Sequence, residues 1–141
     1  MSVAQNKAVS RRWYEAWGTD AIETACAECL AADFVAHFSG QGTLDRATYI
    51  RLDREFAAAF RDSRIMVDEL IGENDTIATR MRWCAMHTGK ILGVAPTGKR
   101  FEIAGFAMDR FRGGRVIEHF PLFDQLSMLQ QLGVVERPPH A

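Results

Sequence analysis

Along this chain the spacing of apolar positions changes once, after Asp62, from a period near 3.6 to a period of 2. In the first part, Val9, Trp13, Ala16 and Trp17 recur at helical spacing, and Gly18 marks the end of that helix. Asp20 followed by Glu23 has capping-box spacing and predicts a second helix, with Ile22, Ala25, Cys26, Cys29 and Leu30 on one stripe. Asp33 to Phe38 reads as a short strand before the Gly40-Gln41-Gly42 turn. Asp45 is placed to cap a third helix, whose apolar face carries Tyr49, Ile50, Phe56, Ala57 and Phe60.

The second part predicts an antiparallel meander. Ile65 to Ile71 is a strand, and Glu73-Asn74-Asp75 is a turn. In Thr76 to His87, alternation puts Ile77, Met81, Trp83 and His87 on one face and Ala78, Arg80, Arg82 and Cys84 on the other. Residues 93–99 are a loop, Phe101, Ile103, Ala107 and Phe111 alternate along the next strand, and Gly113-Gly114 is a hairpin turn. Val116 to Phe123 is the last strand, where Pro121 implies an edge or a bulge. Gln125 to Leu132 closes as a short helix ended by Gly133. Helices followed by strands argue for an α+β fold with the helices on one face of a curved sheet. Such a sheet leaves a cavity at its open end, suited to a small molecule.

Composition narrows the class. The 141 residues make one domain, read here as 1–141 with a core of about residues 4–135 and a flexible tail from 136. Seventeen Lys and Arg balance eighteen Asp and Glu, so nothing marks a nucleic-acid partner. No apolar run long enough to span a bilayer occurs, and the first residues lack a secretory apolar region. A cytoplasmic protein is therefore expected. Three cysteines argue against a disulfide framework, and Cys26-x-x-Cys29 lies within helical periodicity with no second ligand pair. We read the pair as two small apolar helix residues.

The chemistry-bearing residues are His37, His87, His119 and Asp124, with His140 in the tail. His87 shares a face with Ile77, Met81 and Trp83 and should point inward; His119 precedes Asp124 by five residues. Such groups suit proton transfer in an apolar pocket. Periodicity alone favours, for each, a hydrogen-bonded histidine at the sheet margin. A three-histidine metal site lacks the spacing it needs, so no metal and no cofactor are expected. Asp124 reads either as the N-cap of the last helix or as a half-buried acid, and spacing alone favours the cap. Tyr14 reads as core.

The segments Arg12-Trp13-Tyr14-Glu15-Ala16-Trp17, Ala31-Ala32-Asp33-Phe34-Val35-Ala36-His37, Met86-His87-Thr88-Gly89, Gly93-Val94-Ala95-Pro96-Thr97-Gly98-Lys99 and Ile117-Glu118-His119-Phe120-Pro121-Leu122-Phe123-Asp124-Gln125-Leu126 stand in the order and spacing of a known family. Over residues 4 to 135 the chain resembles the SnoaL-like polyketide cyclases. The resemblance implies a cone-shaped barrel, a curved antiparallel sheet wrapped around the N-terminal helices. It also implies cofactor-free aldol ring closure of a hydrophobic polyketide-like ketone or ester. It carries the acid/base role to Asp124, with His119 and His87 beside it, and the substrate wall to His37, Trp83, Tyr14, Trp17 and Phe120. A homodimer or homotetramer is implied too, covering an outer sheet face that includes Ala78, Cys84 and Ala104. Where the family often has Trp after the last-strand His, this chain has Phe120, followed by Pro121-Leu122. Two other functions compete: a non-catalytic small-molecule binder, and a related hydrolase or isomerase. Epoxide hydrolysis would need an inward Arg between carboxylates, whereas Arg80 and Arg82 lie on the face opposite His87.

Overall fold

The computed structural model describes residues 2–139, so His140 and the chain ends lie outside the described residues. In order the elements are α1 (Val3–Ala16), α2 (Ile22–Cys29), β1 (Leu30–Phe38), β2 (Gly42–Asp45), α3 (Arg46–Ala58), β3 (Phe60–Glu73), β4 (Thr76–His87), β5 (Arg100–Arg112), β6 (Arg115–Phe123) and α4 (Gln125–Gln131). A capping box starts α1 well before its apolar stripe: Ser2 Oγ accepts the Gln5 N–H at 3.1 Å and Gln5 Oε1 accepts the Ser2 N–H at 2.9 Å. The helix stops because Gly18 turns left-handed, with φ of +78°. Only glycine fits there, since a Cβ would collide with Ser63.

Three local expectations need correction. The Asp20–Glu23 box does not form: α2 is N-capped by Ala21 without a side-chain bond. The turn after Gly18 instead brings in Thr19, whose Oγ1 accepts the Ala21 N–H at 3.2 Å. Phe60 is not on α3 but opens β3. Thr88 and Gly89 both donate N–H bonds of 2.9 Å to the Ala59 carbonyl, which draws the chain into the sheet there. Gly42 to Asp45, part of which reads as turn, pairs with β1 as a strand. Asp45 does cap α3, accepting the Thr48 N–H at 2.8 Å.

The six strands form one sheet in the order β2-β1-β6-β5-β4-β3. It is mixed rather than antiparallel, because β1 runs parallel to β6. It also stays open, with β2 and β3 as its edges, and so is not a closed barrel. The first strand precedes the helix α3 and the meander, and such a crossover returns the chain in parallel. Pairing of β1 with β6 ends at Ala36↔His119, so Pro121 ladders only with β5 and its missing N–H costs nothing.

Helices α1 and α3 cover the inner face of this sheet, and the core lies between. Ile77, Met81 and Ala85 of β4, Phe101, Ile103, Ala107 and Phe111 of β5, and Trp13 and Phe34 opposite are all buried. Burying the larger aliphatic and phenyl side chains among them stabilises by about 1.5–3 kcal/mol each. On the outer face Arg82 grips Asp68 through two bonds of 2.9 Å, and Arg80 pairs with Glu69 at 3.3 Å. The outer side of β5 and β6 is apolar instead: Phe106 is 56% exposed, Met108 54% and Leu122 64%. Phe106 pairs with Leu122 and Met108 with Phe120. Among the described residues no helix is long and apolar enough to cross a membrane.

Candidate functional site

Alternation along β5 leaves every second residue buried, and the inward set Phe101, Ile103, Gly105, Ala107 and Phe111 includes one carboxylate, Asp109. Asp109 pairs in register with His119 on β6, so both side chains enter the same inner layer. His119 Nδ1 lies 2.6 Å from Asp109 Oδ1. The hydroxyl of Tyr14, brought over the sheet by α1, donates to Asp109 Oδ2 and lies 3.4 Å from His119 Nδ1. Asp109, His119 and Tyr14 are 0%, 3% and 4% exposed. Since the carboxylate can only accept, Nδ1 carries the proton of that bond, and Nε2, which bonds to no group among the described residues, is the basic nitrogen. Burial and the neighbouring Asp109 push the Tyr14 hydroxyl well above its usual range. Tyr14 therefore stays protonated and remains a donor.

An aromatic shell closes over the imidazole. Trp13 meets it edge-on at 4.7 Å, Tyr49 at 5.8 Å, Phe34 stacks at 6.2 Å and Phe38 stands at 6.3 Å. Among these only Phe38 is not fully buried. An Asp–His pair in such surroundings can take a proton from an apolar ligand and stabilise the imidazolium that results.

A second layer lies one helical turn away. Trp17 packs edge-on against Trp83 at 4.9 Å, and its indole N–H donates to Asp53 Oδ1 on α3. Burial without a neighbouring cation pushes the Asp53 carboxyl up to about 7. The indole N–H of Trp83 donates to Ser63 Oγ at 2.8 Å.

The expected site residues separate into groups. His119, Tyr14, Trp17 and Trp83 come together inside the cone. His87 is fully buried as expected, but at the far end of β4: its Nδ1 accepts the Thr97 N–H at 3.2 Å, and it touches Phe60 rather than His119. His37 and Phe120 need correction as pocket residues. They follow the inward pair Ala36 and His119 by one residue, so parity turns both outward. There they stack on each other at 4.5 Å, and His37 Nε2 meets Glu118 at 3.1 Å. Asp124 needs correction as well. It is exposed, its Oδ1 accepts the Ser127 N–H at 3.1 Å, and so it serves as the N-cap of α4. The five residues after His119 carry it past the end of the strand and out of the cone.

Two carboxylates went unread in the sequence, Asp109 and Asp53. Both had a signal: Asp109 shares the parity of Ile103, Ala107 and Phe111, and Asp53 lies four residues after Tyr49 on the inner face of α3. Cys26 and Cys29 are buried free thiols on α2, and burial pushes Cys26 up to about 12. Among the described residues no three His, Cys, Asp or Glu side chains are grouped to hold a metal ion. Two clefts of about 610 and 420 Å³ lie outside this site. The first is between α1 and α2, around Arg12 and Thr24, and the second is beside Ser63 to Val67 of β3.

Comparison with known proteins agrees with this architecture. No curated protein matches the chain significantly. Among solved structures, AclR of Streptomyces galilaeus, described as a proposed hydroxylase, is similar at 27% identity with a TM-score of 0.86, over 98% of this chain and 91% of that one. IdmH of Streptomyces antibioticus, described as a proposed polyketide cyclase, is similar at 30% identity with a TM-score of 0.82, over 92% of this chain and 99% of that one. A SnoaL-like protein of Jannaschia sp. CCS1 shares the fold at 21% identity, with a TM-score of 0.86 over 96% and 94% of the two chains. The family model described as SnoaL-like polyketide cyclase matches residues 7–132. With nine-tenths of its length matched, this chain belongs to the SnoaL-like polyketide cyclase family.

Proposed function

We propose that the protein is a cyclase of the aldol type, in which His119 is the general acid/base and Asp109 and Tyr14 hold it ready. The observation that carries this is the buried Asp109–His119 bond with Nε2 left free inside an aromatic shell. Nε2 takes a proton from the carbon beside a carbonyl of a hydrophobic ketone or ester. The resulting enolate carbon attacks a second carbonyl in the same molecule, forming the ring bond. The imidazolium then returns the proton to the new alkoxide, so no external acid, base or cofactor is consumed. Phe38 is the shell member through which an aromatic ligand would reach the imidazole. Asp124 has no part in the step.

The half-reaction is measurable without the natural substrate. The α-protons of 2-tetralone, an enolisable ketone fused to a benzene ring with one benzylic α-carbon, exchange into D2O at a rate that NMR follows. The protein should accelerate this exchange. His119→Ala should remove the acceleration, and Asp124→Asn should keep it within a few-fold. Saturable binding of 2-tetralone by both wild type and His119→Ala, with no exchange by either, would instead favour a non-catalytic binder.

The apolar outer face supports a second part of the proposal, a homodimer formed through β5 and β6. Phe106, Met108 and Leu122 are large apolar side chains left exposed on paired strands, a surface suited to an interface. Arg110, Glu118 and His37 beside it carry both signs of charge and suit a self-complementary two-fold contact. Light scattering at micromolar concentration should give a dimeric or larger mass, and Leu122→Glu should lower it to that of a monomer. A monomeric wild type would remove this part.

A further inference from the structure

We propose that Asp53 is a second acid of this site, presenting an Oδ2–H to the carbonyl oxygen of the bound ketone or ester. The proposal rests on the reading of His119 as the base and deepens it. Two residues that pack on the imidazole, Trp13 of α1 and Tyr49 of α3, each have a partner four residues on: Trp17, the C-cap of α1, and Asp53 on α3. Four residues of helix rise about 6 Å. Asp53 thus stands one side-chain layer from His119, a separation that a ketone can bridge with its acidic α-carbon at Nε2 and its carbonyl oxygen, two bonds from that carbon, at Oδ2.

The two oxygens of Asp53 are not equivalent. Oδ1 accepts the indole N–H of Trp17, a group that can only donate. Oδ2 is buried and has no partner among the described residues. A neutral Asp53 therefore carries its proton on Oδ2, as a donor without an acceptor until a ligand supplies one. A buried polar atom left unpaired in a native structure calls for such an explanation.

The surroundings keep the carboxyl neutral. From α2 it faces the Cys26 thiol, and from its own helix the Tyr49 hydroxyl; burial raises both, so neither is charged near neutrality. Asp109 on β5 acts on Tyr49 as a further negative group. From α1 it meets only the uncharged Trp17. The cation on this side, Arg46, directs one guanidinium N–H to the Cys26 carbonyl at 3.2 Å and makes no hydrogen bond to Asp53. Nothing compensates a buried carboxylate here, which agrees with a carboxyl raised to about 7. A carboxylic acid held neutral by an apolar site is a known way to donate to a developing oxyanion.

Protons balance through the cycle. His119 takes the carbon-bound proton while Asp53 passes its own to the carbonyl oxygen, giving a neutral enol. As the enol carbon forms the ring bond, the enol proton returns to Asp53 and the imidazolium proton goes to the new alkoxide. The Asp53 carboxylate that exists between these steps is held by the Trp17 N–H.

The test is the infrared carbonyl stretch of bound 2-tetralone, with ¹³C NMR titration of aspartate carboxyls in the full-length protein. In wild type the stretch should be red-shifted below pH 7 and should relax as pH rises through 7, together with one carboxyl signal. Asp53→Asn can still accept from Trp17 and donate from its amide, so it should keep a shift at every pH. Asp53→Leu should lose the shift. Tetralone exchange should fall about a hundredfold in Asp53→Asn. His119→Ala should lose exchange but keep the infrared shift, so failure of the base reading and failure of this one are told apart. The same stretch in wild type and Asp53→Leu would overturn the proposal. So would an Asp53 carboxyl titrating at an ordinary value, or a wild type that fails to bind the ketone at all.

Discussion

Asp109→Asn is expected to slow exchange of the α-protons of 2-tetralone by about a hundred- to ten-thousandfold while the protein still folds. The magnitude follows from hydrogen-bond bookkeeping at one carboxylate. Asp109 accepts from His119 Nδ1 through one oxygen and from the Tyr14 hydroxyl through the other. An asparagine has one acceptor oxygen and one donor group, so one of the two donors must face an NH2. If His119 keeps the acceptor, Tyr14 must rotate or lose its bond. If Tyr14 keeps it, the Asn amide donates to Nδ1, the imidazole proton moves to Nε2, and the basic nitrogen turns away from the substrate. Either way the imidazolium loses the negative charge that stabilises it. Asp109→Ala would be more severe for folding, because it leaves two buried donors without partners at a cost of about 1–3 kcal/mol each. Should Asp109→Asn fail to fold, Tyr14→Phe removes one of the two donors to Asp109 and should slow exchange, by less than loss of the carboxylate would. Exchange by a folded Asp109→Asn within a few-fold of wild type would end the case for the dyad.

Wild-type stability is expected to fall as pH rises from about 4 to about 7, by as much as about 4 kcal/mol, and Asp53→Asn should abolish that slope. Asp53 titrates near 3.8 in the unfolded chain and at about 7 in the fold, a rise of about three units. At about 1.36 kcal/mol per unit this sets the upper limit, and relaxation of the site reduces it. The sign follows from proton binding. Between the two values the folded state holds a proton that the unfolded state has released, so each added pH unit favours unfolding. The contribution is complete below about 4 and gone above about 7. Asp33, Asp45 and Asp68 have carboxyls lowered by Arg112, the Thr48 N–H and Arg82 respectively, so their stabilisation is lost in the opposite direction, below about 4. The windows do not overlap. Urea denaturation of wild type and Asp53→Asn across this range separates them, and parallel curves for the two proteins would show that Asp53 is not held neutral.

Much of the fold was legible from short stretches. The change of period after Asp62 marked where helices give way to strands. Alternation alone put Ile77, Met81, Trp83 and His87 inside and Arg80 and Arg82 outside, because successive strand residues face opposite sides whatever the rest of the chain does. Asp45 capped α3, and Gly18 ended α1, because both effects are settled within four residues. The Asp20–Glu23 box failed for the complementary reason: a neighbouring turn supplied a competing acceptor in Thr19.

What the sequence by itself determined, then, was element type, facing within each strand, and family. Which residues meet was decided by tertiary structure. Asp109 and His119 share a layer because the β5–β6 register pairs them, and Tyr14 joins them from 95 positions away because α1 crosses that layer. His37 and Phe120 lie outside because β1 pairs with β6 through Ala36 and His119, and a one-residue offset reverses the face. Asp124 had two sequence readings, and the sheet chose between them by ending at Phe123 and leaving the carboxylate in water over the first turn of α4. Period and capping are local energies, readable in a window. Register and helix crossing are set by burying one shared core, to which every element contributes at once.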